Sequence, residues 1–442
     1  MLIRRLLLAI GCTSLLLLLA ACTLLNPAEN QTDAPATAVP ATPATLFTPS
    51  AQNTPSFTIA ATLTPTSNSL IIWLPPAIAS RTEAGAITLS DQLLAFNGAH
   101  PDLEIIVEQK PTNGLGGALN YLRTGRNVAP AVLPDLIALP VTQLSAAATE
   151  GLILPMEDFL DPTVIDQLFA PAQEWANNAS HLVGLPFALT EMLHLEYSTV
   201  ITTPVPLLWS DFISDTTKHM VFPAAGPDGA RLALQFYLAA GGKLTNEAGQ
   251  PALEAAPLTI ALEQLYNGRS NGFILQQSSN ITNLADGVLL VRDGSTDNAL
   301  TSSDVFLQST ISGYTPRYAA LPGLDAPLPA IINGWAWAIT TTDIQKKALA
   351  AELIAFLTTP ENLGSWSQES QILPANPAAL NTWPADDPYA NFAQQELQRA
   401  IPMPQSANTA IMSALGNAVF DVISLSKTPA VAAAEAVAAV VP

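Results

Sequence analysis

Leu70-Ile71-Ile72-Trp73-Leu74, closed by Pro75-Pro76, is an apolar run with no polar residue in it. Its length suits a buried strand and falls short of a helix of ordinary size. The segments that follow decide the architecture. Leu89, Leu93, Leu94 and Phe96 recur at close to helical spacing over 89–97, until His100-Pro101 stops the pattern. Leu103 to Glu108 then alternates as a second strand. Leu115, Leu119 and Leu122 share one face of a helix over 115–124, and Pro134-Asp135-Leu136-Ile137-Ala138-Leu139 is a third strand. Strands alternating with helices of this length predict βαβ units, a mainly parallel sheet and an α/β fold.

Working back from Ser69, residues 26–68 are mostly Pro, Thr, Ala and Ser, with only Glu29 and Asp33 charged. Such a segment cannot bury enough surface to offset its ordering entropy and reads as a flexible tether. Before it, Arg4 and Arg5 precede an uncharged stretch, Leu6 to Ala21. As a helix that stretch spans about 24 Å, short of a hydrocarbon core of roughly 30 Å, so a signal peptide over 1–21 is expected rather than a transmembrane span. It ends in Leu19-Ala20-Ala21-Cys22, which resembles the lipobox of bacterial lipoproteins. That resemblance implies acylation of Cys22 and a membrane anchor at the head of a 22–68 tether. The only other cysteine, Cys12, lies inside the leader, so the mature chain has no pair for a disulfide and no cysteine for a metal cluster.

The 442-residue chain is 49% hydrophobic and 12% charged, with a formal net charge of −20. The apolar share supports a large core, and the acidity disfavours nucleic acid and anionic lipid headgroups as partners.

From Ser69 onward a series of phrases, in order, resembles the extracellular solute-binding proteins of ABC transporters, the family that includes maltose-binding proteins. They are His100-Pro101-Asp102-Leu103-Glu104-Ile105, Pro134-Asp135-Leu136-Ile137, and Gly151-Leu152-Ile153-Leu154-Pro155 running to Leu160. Next come Gly184-Leu185-Pro186 leading to Tyr197-Ser198, and Trp209-Ser210-Asp211-Phe212. Asn333-Gly334-Trp335-Ala336-Trp337-Ala338-Ile339, a helix over 346–357, Thr359-Pro360-Glu361 and Ile372-Leu373-Pro374-Ala375 complete the series. The resemblance covers nearly all of 69–442. It implies a two-lobed periplasmic-binding-protein type 2 fold with a central cleft and hinge strands. The first lobe is expected over 69–186 with 335–372, and the second over 187–334 with 373–442. It further implies an extracytoplasmic, monomeric protein that traps a small solute, a sugar or polyol, by hinge closure and delivers it to an ABC permease. No enzymatic activity, cofactor or metal is implied. A sensor or protein-interaction lipoprotein on the same fold is the alternative.

For the site, sugar clefts need flat aromatic faces and a few hydrogen-bonding side chains. By the resemblance Glu191, just after the first crossover, is the leading polar candidate, against a solvated loop carboxylate. Trp335 stands where the family places a stacking indole, against plain hinge packing. Trp73, ending the first strand, and Tyr314 are further ligand-binding candidates, with Arg317 and Trp366 behind them. Trp337, two residues beyond Trp335, is expected in the core. The chain departs from the family where no aromatic follows Leu284-Ala285-Asp286-Gly287 and where Ala138-Leu139-Pro140 replaces another, so stacking in the cleft is expected to be poor.

Other chemistries lack their marks. His100, His181, His194 and His219 show no metal-type pairing, and no Gly-x-Ser-x-Gly elbow exists. Gly114-Leu115-Gly116-Gly117 fails the dinucleotide pattern and is left as a loop or a weak anion site. Asp293 to Asp304 has the length of a calcium loop, but Asn298 stands where the turn glycine belongs and Asp304 where the final glutamate belongs.

Overall fold

The structure, a computed structural model, describes residues 68–440 except 115, 162, 179–180 and 310–315. The expected signal peptide, Cys22, all of the tether but Asn68, and Tyr314 lie outside the described residues. The compact unit spans Pro55–Pro442. The buried residues of its three hydrophobic cores all lie within 70–440, so that stretch holds its own cores. None of the described helices is long and apolar enough to cross a membrane.

The first sheet forms as the strand periodicity predicts. Strands β1 (Ser69–Leu74), β2 (Glu104–Gln109) and β3 (Leu136–Pro140) pair in parallel, β1 lying between the other two. Every residue of β1 is buried, which is why it reads as a continuous apolar run instead of an alternating one. Helix α1 (Glu83–Ala99) starts earlier than the apolar spacing suggests because Thr82 caps it, its hydroxyl accepting from the Gly85 N–H at 2.9 Å. Helix α2 (Ala118–Gly125) starts later than expected, behind the loop carrying Gly114, whose φ of 84° is left-handed. Helix α3 is Val141–Thr149.

Two strands then cross between sheets. β4 (Leu185–Thr190) lies in the first sheet and β5 (Leu193–Tyr197) in a second; only Glu191 and Met192 separate them. The second sheet adds β6 (Met220–Val221), β7 (Asn298–Ser302) and β8 (Arg317–Ala319), in the order β8-β5-β7-β6. Helices α4 (Pro227–Ala239), α5 (Ala255–Ser270), α6 (Leu284–Arg292) and α7 (Ser303–Ser309) accompany it. The long strand β9 (Ile331–Ile339) returns and slots between β3 and β4, antiparallel to both. Opposite it a bulge leaves Phe187 as the extra residue of β4, and the Phe187 ring stacks on Trp337 with centroids 4.8 Å apart. Close strand packing here needs a glycine: a Cβ on Gly334 would lie 2.5 Å from the Ala188 carbonyl oxygen.

Helices α8 (Ile344–Leu357), α9 (Pro360–Ser370) and α10 (Pro388–Arg399), with β10 (Leu373–Pro374), follow. Asp343 caps α8, accepting from the Gln345 and Lys346 N–H groups at 2.9 and 3.1 Å. Strand β11 (Ile401–Pro402) pairs with the start of β9, and α11 (Thr409–Ile423) and α12 (Pro429–Ala439) close the described chain. The first sheet therefore runs β10-β4-β9-β3-β1-β2, with β11 on β9.

Two large cores separate along these lines. One carries β1, β3, β4 and most of β9; the other carries α4, α5, α11 and α12. The boundary differs from the sequence expectation at the crossing, where Phe187, Ala188, Leu189 and Met192 are buried in the first core, and again in a later segment. Residues 373–400 were assigned to the second lobe, yet Leu373, Leu380, Trp383, Tyr389 and Leu397 are buried in the first core. The reason is pairing: Leu373 sits opposite Leu189 on the outer edge of β4. In the alanine-rich end, α12 buries Ala432, Ala433 and Ala436 against the second core and exposes its other face.

Candidate functional site

The two crossings bring together side chains far apart in the chain. Glu191 occupies the turn between β4 and β5 with φ of 64°, a left-handed backbone that a non-glycine residue holds only when its surroundings impose it. Three groups do so. Its N–H donates to Asp304 Oδ2 at 2.5 Å, its carbonyl accepts from the Arg231 guanidinium, and its Oε2 accepts from Asn333 Nδ2 at 2.6 Å. Arg231, on α4 and 6% exposed, also lies 3.4 Å from Glu191 Oε2 and 3.3 Å from Asp228 Oδ1, and donates to the Ile331 carbonyl at 3.2 Å. Asp304, on α7, accepts from Arg81 at 3.0 Å, and Arg81 reaches on to the Ser370 and Gln371 carbonyls. Burial pushes the Asp304 and Asp228 carboxyls up, against the pull of Arg81 on the first and Arg231 on the second. The side chain of Glu191 remains 44% exposed, and Asn333 Oδ1 has no partner among the described residues.

The expected ligand residues separate into three kinds. Glu191 and Trp335 stand at this junction; Trp335 is half-buried on β9, between Pro140 and Ala188. Trp73 is 3% exposed, with the Lys110 ammonium 5.0 Å above its ring and Tyr121 edge-on at 6.2 Å. It presents no open stacking face in this state. Tyr314 is not described. Of the others, Trp337 and Trp366 are core residues around Phe187, and Arg317 donates to the Ile201 carbonyl at 2.7 Å. The calcium-loop idea fails, because residues 298–302 are strand β7 and Asp304 is the partner of Arg81. The described residues hold no cluster of metal-ligating side chains. His194, fully buried, shares a hydrogen bond of 3.0 Å with the Tyr389 hydroxyl, and burial lowers its pKa to about 4.

The spacing of motifs did not point to Arg231, Asp304, Arg81 or Asn333. Nor did it point to a hollow of about 650 Å³ at the carboxyl end of β6. Ala224, Gly226, Pro227 and Ala230 form one side, and Met412, Gly416 and Phe420 of α11 the other. Ligands of open α/β sheets gather at the carboxyl ends of strands. Gly226, Pro227 and Ala230 of the hollow and Asp228 and Arg231 of the junction share the start of α4, so the two are neighbours along that helix. Gly226 is required in its wall, because a Cβ there would lie 2.1 Å from the Thr282 carbonyl oxygen.

Two α/β lobes joined by crossing strands, with buried charges gathered at the crossing, define a two-lobed binding protein of the periplasmic type. The chain belongs to the bacterial extracellular solute-binding proteins, whose family model matches residues 93–393. Members of that family are binding proteins, not enzymes, and work outside the cytoplasm. No curated protein matches the sequence. Among solved structures, it is similar to a cyclo/maltodextrin-binding protein complexed with maltotetraose, at 20% identity and a TM-score of 0.67, over 85% of this chain and 97% of that one. It is also similar to the cyclic alpha-maltosyl-1,6-maltose binding protein from Arthrobacter globiformis, at 14% identity and a TM-score of 0.66, over 84% and 97%. A third is the GacH receptor of Streptomyces glaucescens GLA.O, solved unliganded and with acarbose, at 15% identity and a TM-score of 0.62, over 85% and 98%. At these identities the likeness establishes the fold.

Proposed function

We propose that this protein captures a small uncharged sugar or polyol between its lobes and hands it to an ABC importer. The observation that carries the reading is the charge balance at the junction. Two guanidiniums, Arg81 and Arg231, face three carboxylates, Glu191, Asp228 and Asp304. The excess is negative, which disfavours phosphorylated or acidic solutes and suits hydroxyl donors. Glu191 and Asn333 supply the acceptors, Trp335 a half-buried indole, and the second-lobe hollow the opposite wall. Maltotetraose and acarbose in the related structures support the sugar class. Closure turns about Glu191-Met192 and the start of β9, where the chain passes between sheets with few residues to spare. Cys22 carries the lipid, and residues 22–68 hold the body above the membrane.

A thermal-shift screen of residues 55–442 over sugars, polyols, amino acids and phosphorylated small molecules tests this. A ligand that binds only the folded protein, at a hundred times its dissociation constant, adds about 2.7 kcal/mol. We expect a hit among the uncharged sugars or polyols, weakened in Glu191→Ala and Trp335→Ala. A flat screen on well-folded protein contradicts capture and favours a sensor or interaction role.

A further inference from the structure

We infer that the captured solute is an amphipathic glycoside, whose apolar substituent sits in the second-lobe hollow while its hydroxyls face the Glu191 junction. This rests on the capture reading above and specifies the class of solute.

The argument is one of unequal walls. The junction gathers three carboxylates, two guanidiniums and an amide, with Asp228 and Arg231 contributed by the first turns of α4. The hollow beside it is lined by no charged side chain. Its polar side chains are Thr409, Ser413 and Asn417, all exposed and all on α11. A sugar ring carries several hydroxyls, and each one buried without a partner costs on the order of 1–3 kcal/mol. A hydroxyl-rich ring lying against this hollow would find side-chain partners only on α11, and none on the side made by Ala224, Pro227 and Ala230. An alkyl or aryl group needs no such partners and is favoured by the apolar area it covers. The lining suits it: Ala224, Pro227 and Ala230 make one flat side, and Met412 and Phe420, the latter 43% exposed, make the other. Methionine adapts to irregular apolar shapes, and about 650 Å³ lies within the range of small-molecule pockets. A ligand lying across both walls therefore has a polar and an apolar end, in the order that the two lobes present.

The test is calorimetric titration of residues 55–442 with methyl, butyl and hexyl glucosides, each as the α and β anomer. If the chain enters the hollow, affinity rises with length, by up to roughly fourfold for each fully buried methylene. Ala225→Asp places a charge on an exposed residue of the wall and should abolish that dependence, with an unchanged melting temperature showing that the fold is kept. Two results overturn the inference: affinity independent of chain length, or no binding by any of the glucosides. In either case a hit in the broader solute screen leaves capture itself standing. No hit in that screen removes capture as well.

Discussion

The two walls of the candidate cleft are built on opposite principles. At the junction every group is held by several others: Glu191 by Asp304, Arg231 and Asn333, and Asp304 by Arg81. Across the hollow, Ala224 and Ala230 belong to the second core while Ala225, Ser413 and Phe420 are exposed. A buried charge must be paired to be tolerated, whereas an exposed apolar wall can wait for whatever covers it. The difference teaches that, under the capture we propose, the junction would set geometry and the hollow selectivity.

Substitutions can break or sharpen that contrast. The scale comes from Trp337, 3% exposed and stacked on Phe187: Trp337→Ala should cost about 3–5 kcal/mol of stability by denaturant unfolding. Trp335→Ala, two residues away on the same strand, should cost clearly less stability and at least several-fold in ligand affinity. Equal losses of stability would show that Trp335 is core and no part of the site. Arg231→Met comes next. It leaves Asp228 without its cation, and about 2–3 kcal/mol should be lost. Met412→Ala in the half-buried wall of the hollow should cost under about 1 kcal/mol. Similar losses at the two positions would erase the distinction between the walls.

A subtler pair titrates. Burial raises Glu196 on β5 to about 7 from the ordinary 4.5, with Arg292 opposing the shift. The folded state thus holds a proton that the unfolded state has released, and this carboxyl costs stability progressively as pH climbs from about 4.5 to about 7. In Glu196→Gln that cost disappears, so the melting temperature of the variant should gain on the parent across the same window. His194 works the other way. Its pKa is lowered by burial from 6.5 to about 4, so its contribution is lost as pH falls through that interval. A difference between Glu196→Gln and parent that does not grow with pH would contradict the burial of Glu196. The smallest effect on stability is expected for Glu191→Gly. Relief of the left-handed backbone, of order 1 kcal/mol, roughly offsets the lost bond to Asn333, while affinity should fall at least tenfold.

Much of the first sheet was legible in the chain because β1 and β3 are buried along nearly their whole length and read as apolar runs. Leu70 to Leu74 and Pro134 to Leu139 announce themselves for that reason, whereas the helix that ends at Leu357 is marked by the family phrases around it. Boundaries moved where a cap such as Thr82 extended a helix beyond its apolar stripe. Residues 373–400 were misassigned because the pairing of Leu373 with Leu189 is a tertiary choice that no local pattern records. The site divides in the same way. Glu191 and Trp335 lie on the crossovers that the family phrases mark. Arg231 and Asp304 meet Glu191 from positions 40 and 113 residues away. Trp73 shows the limit of inference from position alone: the strand end was right, but Lys110 and Tyr121 cover the ring.

Capture by closure is the central claim, and small-angle X-ray scattering of residues 55–442 tests it most directly, with and without a saturating ligand from the screen. A smaller radius of gyration in the bound state is predicted, and Glu191→Ala should require more ligand to reach it. An unchanged radius at proven saturation would contradict hinge closure, however tightly the solute binds.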